Sequence, residues 1–139
     1  MEQKLEAYRR KRNFLKTSEP SGKEEKAVGV TKRKIFAVQL HYARTTHFDF
    51  RLEWDGVLLS WAVPKGPSFN PKDKRLAVRV EEHPLDYADF EGVIPKGEYG
   101  GGTVLLWDKG YWTETEDFAR GLEKGSLKLR LDGKRLKGG

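Results

Sequence analysis

One stretch of strict alternation does most to constrain the fold of this chain. Over residues 47–54 polar and apolar side chains alternate, with His47, Asp49, Arg51 and Glu53 on one side and Phe48, Phe50, Leu52 and Trp54 on the other. A period of two is typical of a β-strand with one face on a core. The polar face carries an imidazole, a carboxylate and a guanidinium, each about 6–7 Å from the next. We therefore predict a strand whose polar face belongs to a functional site.

The rest of the chain has the same strand-like character. Asp55 and Gly56 follow the first strand and predict a hairpin with 57–63 as its return strand. Further β-rich runs cover 35–40, 75–83, 103–107 and 126–131, and a last hairpin begins at Asp132 and Gly133. Because that hairpin is unfinished at Gly139, we expect its partner strand to have been cut away or to come from a following domain. Short strands with Gly and Asp turns predict a mostly β single domain, a sandwich or small barrel, with little helix.

The N-terminal part of the chain differs from the remainder. Residues 1–16 are rich in helix formers, which predicts a short helix or arm with Leu5, Tyr8 and Leu15 on one side. Residues 17–33 lack any period and read as an extended connector, and a short helical piece is expected at about 115–123. We therefore divide the chain into an arm and connector, 1–33, and a β core, 34–139.

The charge and composition of the chain limit the kinds of partner and site that it can have. The chain of 139 residues has 27 Lys and Arg against 21 Asp and Glu, a net charge of +6, which favours a polyanionic partner and nucleic acid before membrane. The absence of cysteine excludes disulfides and thiolate metal sites. No apolar run is long enough for a membrane span, so we expect a soluble protein of the cytoplasm.

The three histidines of the chain fall at strand ends or on polar strand faces. His41, six residues before His47, joins His47 and Asp49 in a set of two nitrogen ligands and one oxygen ligand. Such a set suits Mn²⁺, Fe²⁺ or Zn²⁺ and leaves positions open for water or substrate, as a catalytic metal site requires. From spacing alone, a hydrogen-bonded pair of His47 and Asp49 is an equally good interpretation.

Arginines accompany these residues on the predicted strands. Arg51 shares a face with Asp49, and Arg75 and Arg79 share one with His83. The planar guanidinium binds phosphate oxygens with two hydrogen bonds, so arginines beside a divalent metal predict a phosphate site. The alternatives are a structural salt bridge for Arg51 and a surface pair with a neighbouring glutamate for Arg79. The glycine-dense loop 96–102 precedes a strand, so we interpret it as a tight turn and not as a phosphate cradle.

A series of motifs extends these observations over nearly the whole chain. In order they occupy 8–14 (YRRKRNF), 19–22, 41–53, 59–67 (LSWAVPKGP), 74–78, 82–92 (EHPLDYADFEG), 94–100 and 107–110. Together they resemble the 3′-phosphoesterase domain of bacterial DNA ligase D and its stand-alone relatives. The resemblance implies a compact β-barrel with a Mn²⁺-dependent active site, with Co²⁺ or Zn²⁺ as other candidate metals. Such domains remove a 3′-terminal ribonucleotide from a primer-template and then the remaining 3′-phosphate, which leaves a 3′-OH.

The resemblance also implies roles for individual residues. The positions that match metal ligands are His41, His47 and Asp49. Other matched positions bind or act on the substrate. At the scissile phosphate these are Arg51 and His83, with Tyr87 beside them, and His83 is also a candidate proton donor. Further basic groups are Arg75 and Lys65, and the arm contributes Arg12 and Glu19. The chain has Asn13 where the family commonly has Asp, which removes a carboxylate from the arm.

The implied partners are DNA primer-templates or single-stranded 3′ ends, together with ligase or polymerase domains or other end-joining proteins. The implied location is the cytoplasm of a prokaryote, at the nucleoid. Two rival functions are also compatible with the sequence. Two histidines and a carboxylate also describe the facial triad of Fe(II) oxygenases. A DNA-binding module without catalysis would share the charge and the aromatic content.

Overall fold

The computed structural model of the protein describes residues 5–21, 33–70, 72–114, 117–125, 127 and 129–138. Within these residues the strands form one antiparallel sheet of eight. The strands are β1 (Lys34–Tyr42), β2 (Thr46–Trp54), β3 (Val57–Val63), β4 (Val78–His83), β5 (Gly92–Ile94), β6 (Gly102–Glu114), β7 (Leu129–Gly133) and β8 (Lys137–Gly138). The described residues also include two short α-helices, α1 (Glu6–Arg10) and α2 (Phe118–Lys124), and a 3₁₀-helix (Leu85–Asp89).

The strands follow the order β4-β3-β2-β1-β6-β7-β8, and β5 pairs with β6. The mostly β single domain predicted from the sequence is confirmed, but the sheet is not closed into the barrel that the resemblance implied. Within the described residues β4 and β8, the two ends of the order, do not pair with each other. Both are short, of 6 and 2 residues. The sheet therefore stays open, and the N-terminal arm and the 3₁₀-helix cover one of its faces.

The alternating strand predicted over 47–54 is confirmed as β2, which begins at Thr46. The hairpin that follows it is also confirmed, because Asp55 (φ 51°) and Gly56 (φ 83°) take the left-handed conformations of a tight two-residue turn. On the other side β1 pairs with β2 so that His41 lies opposite His47. Partners in an antiparallel pair point to the same face, so β1 and β2 contribute to one polar surface.

The two faces of the sheet carry separate apolar clusters. One face carries Phe36, Val38, Leu52, Val57, Leu59, Trp112 and Phe118, against which the half-buried Trp54, Trp61 and Trp107 pack. On the other face Ala37, Leu58 and Val104 of the sheet meet Tyr8 of α1 and Tyr87, Ala88 and Phe90 of the 3₁₀-helix region. The polar residues of β1, β2 and β3 share this second face, so the covering elements enclose them.

The N-terminal helix is shorter than predicted. α1 ends at Arg10, after which Lys16 and Thr17 donate backbone hydrogen bonds to the Asn13 carbonyl in a turn. Leu15 is therefore 97% exposed. The prediction that it lies on one side of the helix with the buried Leu5 and Tyr8 is wrong. Residues 22–32 of the predicted connector lie outside the described part of the chain.

β4 departs from the predicted alternation in two ways. It begins at Val78 and not at position 75, and a β-bulge sets Glu81 and Glu82 opposite the single residue Leu59 of β3. His83 is thereby brought to the face that holds Ser60, whereas Arg79 stacks on Trp61 of the opposite face at 5.3 Å. The prediction that Arg79 and His83 share a face is wrong, and the predicted surface pair of Arg79 with a glutamate is confirmed at Glu82.

The C-terminal elements differ in extent from their predictions. β6 is longer than the predicted strand 103–107, and α2 accounts for the predicted helical piece. The described part of the last strand, β7, starts at Leu129, and positions 126 and 128 lie outside the description. Among the described residues we found no helix with the length and apolar character needed to cross a membrane.

Candidate metal centre

The cross-strand pairing of β1 and β2 brings His41, His47 and Asp49 together. One ligand atom from each of these residues lies within 4.8 Å of the other two. His47 Nε2 is 3.1 Å from one carboxylate oxygen of Asp49, and His41 Nδ1 is 3.5 Å from the other. His41 and Asp49 are buried and His47 is half-buried, so the three groups form the floor of an accessible site.

The second ring nitrogen of each histidine contacts a backbone carbonyl. His41 Nε2 lies 2.7 Å from the Gly100 oxygen, and His47 Nδ1 lies 3.0 Å from the Thr45 oxygen. Because a carbonyl only accepts, each of these nitrogens carries a proton. This leaves His41 Nδ1 and His47 Nε2, the nitrogens that face Asp49, to donate to its carboxylate when protonated or to ligate a metal when deprotonated. Metal-ligating histidines are oriented in this way. The residues therefore fit a divalent transition metal with two nitrogen ligands and one carboxylate ligand.

The loop 96–102 provides one of those carbonyls. Gly102 has φ 138°, and a Cβ at this position would lie 2.0 Å from the Tyr42 carbonyl oxygen. Only glycine permits this approach between the start of β6 and the end of β1. The loop is thus a tight turn, as predicted, and it also sets the Gly100 carbonyl against His41.

Asp49 is prepared for a cation by its surroundings. Burial by itself would raise the pKa of Asp49, but hydrogen bonds from His41 and His47 and the charge of Arg51 outweigh burial and hold that pKa well below its usual range. In return, the hydrogen bond to Asp49 raises the pKa of His47. The site therefore presents an ionised carboxylate at neutral pH.

Arg51 forms a cationic wall beside the three ligands. Its side chain is buried, with Nη2 3.6 Å from Asp49, so the predicted salt bridge is present. Nε donates to Gln39 Oε1 at 2.7 Å, and Nη1 donates to Ser60 Oγ at 2.8 Å. The guanidinium also lies over the ring of Tyr87, 4.8 Å from its centre. These contacts hold the guanidinium in one orientation, which favours binding of an anion without rearrangement.

His83 lies at the end of β4, next to the same wall. Its Nδ1 is 2.9 Å from the Glu81 carbonyl oxygen and its Nε2 is 3.4 Å from Arg12 Nη2. Burial, together with the charges of Arg51 and Arg12, lowers the pKa of His83 well below its usual value. The ring is therefore neutral at pH 7, with its proton on Nδ1 and an accepting lone pair on Nε2.

This neutral state predicts a pH dependence of stability. A histidine whose pKa is lower in the folded protein binds more protons when unfolded, so folding is weakened as pH falls below the unfolded value of about 6.5. The free energy of unfolding should therefore fall with decreasing pH by up to about 1.4 kcal/mol per pH unit below about pH 6.5. Replacing His83 with glutamine should remove this dependence. Urea unfolding from about pH 7.5 to about pH 5 would measure the difference from wild type.

The comparison isolates one histidine. His47 has the opposite shift, so its contribution is lost as pH rises, but it is present in both proteins and cancels. Equal slopes in the His83→Gln protein and wild type would contradict a neutral, buried His83.

The N-terminal arm supplies Arg12 and Glu19 to the same site. Arg12 Nε lies 2.9 Å from Glu19, whose Oε2 also accepts a hydrogen bond of 2.6 Å from the Tyr87 hydroxyl. A second guanidinium nitrogen of Arg12 is 3.3 Å from Glu81, and the group lies 4.0 Å above the Tyr8 ring. Side-chain exposure is only 5% for Arg12 and 0% for Glu19, so this contact seals the arm onto the sheet.

Two of the sequence-predicted residues stay outside this network. Lys65 is exposed in the turn after β3, and Arg75 pairs with Asp73 at 3.6 Å. For neither do the described residues include a hydrogen bond or ion pair to the histidine and arginine cluster. Asn13 is exposed and its side chain accepts from the Leu15 backbone, so the exchange of Asp for Asn falls on a turn contact. The roles implied for Lys65 and Arg75 stay predictions.

Three residues of the site were missed by sequence reasoning. Gln39 holds Arg51 and donates to the carbonyls of Tyr87 and Phe90, and Ser60 accepts from Arg51. Tyr8 packs edge-on against His83 at 4.9 Å. A signal existed for Gln39, because it is a polar residue inside an apolar run and lies two positions before His41 on the same strand face. Ser60 and Tyr8 carry no comparable signal.

Fold and site together define a small mostly β domain with a candidate metal centre beside buried arginines, a combination suited to phosphate chemistry. Comparison with known sequences makes the assignment specific. The family described as the DNA ligase D 3′-phosphoesterase domain matches residues 39–139. The chain belongs to this family, and the resemblance found in the sequence is confirmed.

Curated relatives place the family in larger proteins. The chain is 55% identical over 136 residues to the multifunctional non-homologous end joining protein LigD of Pseudomonas aeruginosa, covering 96% of this chain and 16% of that protein. It is 46% identical over 135 residues to the multifunctional non-homologous end joining DNA repair protein LigD of Mycobacterium tuberculosis, covering 97% and 17%. The chain thus spans about a sixth of the length of the curated relatives it matches.

Proposed function

We propose that this protein is a metal-dependent phosphoesterase that heals the 3′ ends of DNA. It would remove a 3′-terminal ribonucleotide as a phosphodiesterase and a 3′-phosphate as a phosphomonoesterase, leaving a 3′-OH end. The observation that carries the proposal is the His41, His47 and Asp49 group with the buried guanidinium of Arg51 3.6 Å from its carboxylate. Family membership supports the same chemistry.

His41, His47 and Asp49 would hold the metal, for which we propose Mn²⁺, with Co²⁺ or Zn²⁺ as alternatives. A bound divalent metal supplies Lewis-acid polarisation of a phosphate oxygen and a lowered pKa for a coordinated water. Arg51 is fixed by Gln39 and Ser60, so it can stabilise charge that develops on the phosphoryl oxygens without first reorganising.

Hydrolysis joins a water oxygen to phosphorus and breaks the bond to the leaving oxygen, which takes up a proton. His83 is neutral in the free protein and its Nε2 accepts from Arg12. A phosphate anion beside Nε2 offsets the arginine charges and raises the pKa of His83, which prepares the ring to protonate the leaving oxygen. Tyr87 keeps Glu19 and Arg12 in place through its hydroxyl.

We further propose that the protein works on primer-templates or single-stranded 3′ ends in the cytoplasm of a prokaryote. The net charge of +6 favours DNA binding that weakens as salt rises. Because the relatives are multifunctional end-joining proteins, ligase and polymerase domains or end-joining proteins are the proposed partners.

A labelled primer-template ending in one 3′-ribonucleotide tests the function. With Mn²⁺ we expect two-step shortening, first by the ribonucleoside and then by the phosphate, and no shortening with excess chelator. Full activity in chelator would contradict the metal-dependent scheme. Binding without turnover on either end would favour a DNA-binding module, and consumption of oxygen with Fe²⁺ and a keto acid would favour an oxygenase.

A further inference from the structure

Tyr99 is an exposed aromatic residue at the mouth of the metal centre. It directly precedes Gly100, whose carbonyl oxygen lies 2.7 Å from Nε2 of the candidate ligand His41. The two tyrosines deeper in the site, Tyr8 and Tyr87, are buried, whereas Tyr99 is 46% exposed. No step of the proposed hydrolysis uses this ring, although it stands beside a candidate metal ligand.

Two cations of the N-terminal arm hold the Tyr99 ring. Lys11 Nζ lies 4.8 Å from the ring centre and 3.4 Å from the hydroxyl oxygen, and the Arg12 guanidinium lies 5.2 Å from the ring centre. Lys11 is fixed in turn by Glu81, at 3.1 Å. These contacts present the exposed part of the ring in one orientation, which lowers the entropic cost of packing a ligand against it.

Arg12 connects this ring to the leaving side of the reaction. Its Nη2 lies 3.4 Å from His83 Nε2, the nitrogen proposed to protonate the leaving oxygen. In the first step that oxygen belongs to the terminal ribonucleoside. Because Arg12 contacts both His83 and Tyr99, a nucleoside attached to the leaving oxygen lies on the side of the site where the Tyr99 ring is exposed.

The remainder of the primer-template needs an open surface of positive charge. The arm and the loop 96–102 meet where Lys11 contacts Tyr99, so a duplex cannot pass between them. Toward β3 the site is bordered by the turn between β1 and β2 and by the turn after β3, where Arg44 and Lys65 are exposed. Exposed cations suit the phosphates of a duplex, whereas an exposed aromatic ring suits a single base.

We propose that Tyr99 is a specificity-determining residue that packs against the base of the 3′-terminal ribonucleotide while the scissile phosphate lies at the metal centre. The inference rests on the proposed function, because it assumes that the site removes such a nucleotide. A 3′-phosphate end has no nucleoside beyond the phosphate, so Tyr99 contributes to the first step and not to the second. Every base has an aromatic face, so the contact accepts any terminal ribonucleotide.

Two kinds of 3′ end on one primer-template test this role. Wild type, Tyr99→Ala and Tyr99→Phe are compared on a primer that ends in a ribonucleotide and on the same primer that ends in a 3′-phosphate. Binding is measured in excess chelator, and kcat and KM are measured with Mn²⁺. Tyr42→Ala is the matched control, because Tyr42 is 48% exposed and follows His41 in β1, so it faces the opposite side of the sheet.

On the ribonucleotide end we expect Tyr99→Ala to bind about tenfold more weakly and to lose about tenfold in kcat/KM, mainly through KM. On the 3′-phosphate end it should match wild type. Tyr99→Phe keeps the ring and should match wild type on both ends, as should Tyr42→Ala. Wild-type behaviour of Tyr99→Ala on the ribonucleotide end would overturn the proposal. An equal loss in Tyr99→Phe would overturn it as well, by assigning the effect to the hydroxyl group.

A purely structural role for Tyr99 would give a different result. If the ring only held Lys11 and Arg12, its loss would accelerate hydrogen exchange over residues 5–21 and lower turnover on both ends, because Arg12 would leave the site. Equal losses on both ends would therefore overturn the proposal. Should wild type cleave neither end, the proposed function would fail, while a binding loss of Tyr99→Ala confined to the ribonucleotide end would still support the contact.

Discussion

Replacing Asp49 with asparagine is expected to abolish metal binding and to lower turnover by about a thousandfold. The carboxylate is the only anionic group among the three candidate ligands, and its two oxygens face His41 and His47. Asparagine keeps the shape of the side chain but presents a neutral amide to the cation. If the bound metal contributes about 4 kcal/mol to the transition state, its loss corresponds to about a factor of 10³.

Calorimetric titration with Mn²⁺ and the primer-template assay measure the two effects separately. Asp89→Asn is the matched control, because Asp89 is an exposed carboxylate that pairs with Lys109 away from the ligands. It should retain wild-type Mn²⁺ affinity and turnover. An Asp49→Asn protein that is folded and binds Mn²⁺ as wild type does would show that the metal lies elsewhere.

The parts of the site within one hairpin could be predicted because their geometry is local. Alternation over β2 is a property of consecutive residues, and the Asp55 and Gly56 turn determines the register with β3. The shared face of Asp49 and Arg51 follows from these two signals. Neither signal specifies which side chain of a neighbouring strand will contact Arg51, so Gln39 and Ser60 became visible only in the paired sheet.

The predictions from sequence were wrong where the structure depends on a single inserted residue or on a contact between distant parts of the chain. The bulge in β4 inserts a single residue, which reverses the alternation and separates Arg79 from His83. No turn or glycine signal marks it in the sequence. Closure of the sheet depends on whether its two end strands meet, and arm placement depends on a contact between Glu19 and Tyr87, 68 residues apart. Composition and periodicity carry no information on such contacts.

Replacing Glu19 with glutamine is expected to open the arm and leave the metal centre intact. Glu19 is fully buried and binds Arg12, Tyr87 and Thr17 through its two oxygens. Removal of its charge leaves the buried guanidinium of Arg12 without its shortest ionic contact, at a cost of about 3–5 kcal/mol. A five-residue helix and its following turn can detach at that cost without unfolding the sheet.

Hydrogen exchange over residues 5–21 should therefore accelerate, and turnover should fall about a hundredfold as Arg12 leaves the site. Mn²⁺ affinity should not change. Glu6→Gln is the control within the same arm, because Glu6 and Arg10 form an exposed pair worth less than about 0.5 kcal/mol. If exchange in the arm were unchanged in Glu19→Gln, the buried pair would not be what holds the arm closed.

The double variant Arg12→Gln and Glu19→Gln distinguishes closure from chemistry. Two amides of similar size replace the ion pair without leaving a buried charge, so protection of the arm from exchange should largely return. Turnover should stay low, because no guanidinium then lies 3.4 Å from His83 Nε2. Recovery of both would mean that Arg12 acts only by closing the arm. Recovery of protection alone would mean that the charge of Arg12 takes a direct part in binding the phosphate. Wild type and the double variant would then both have a closed arm and would differ in the Arg12 guanidinium.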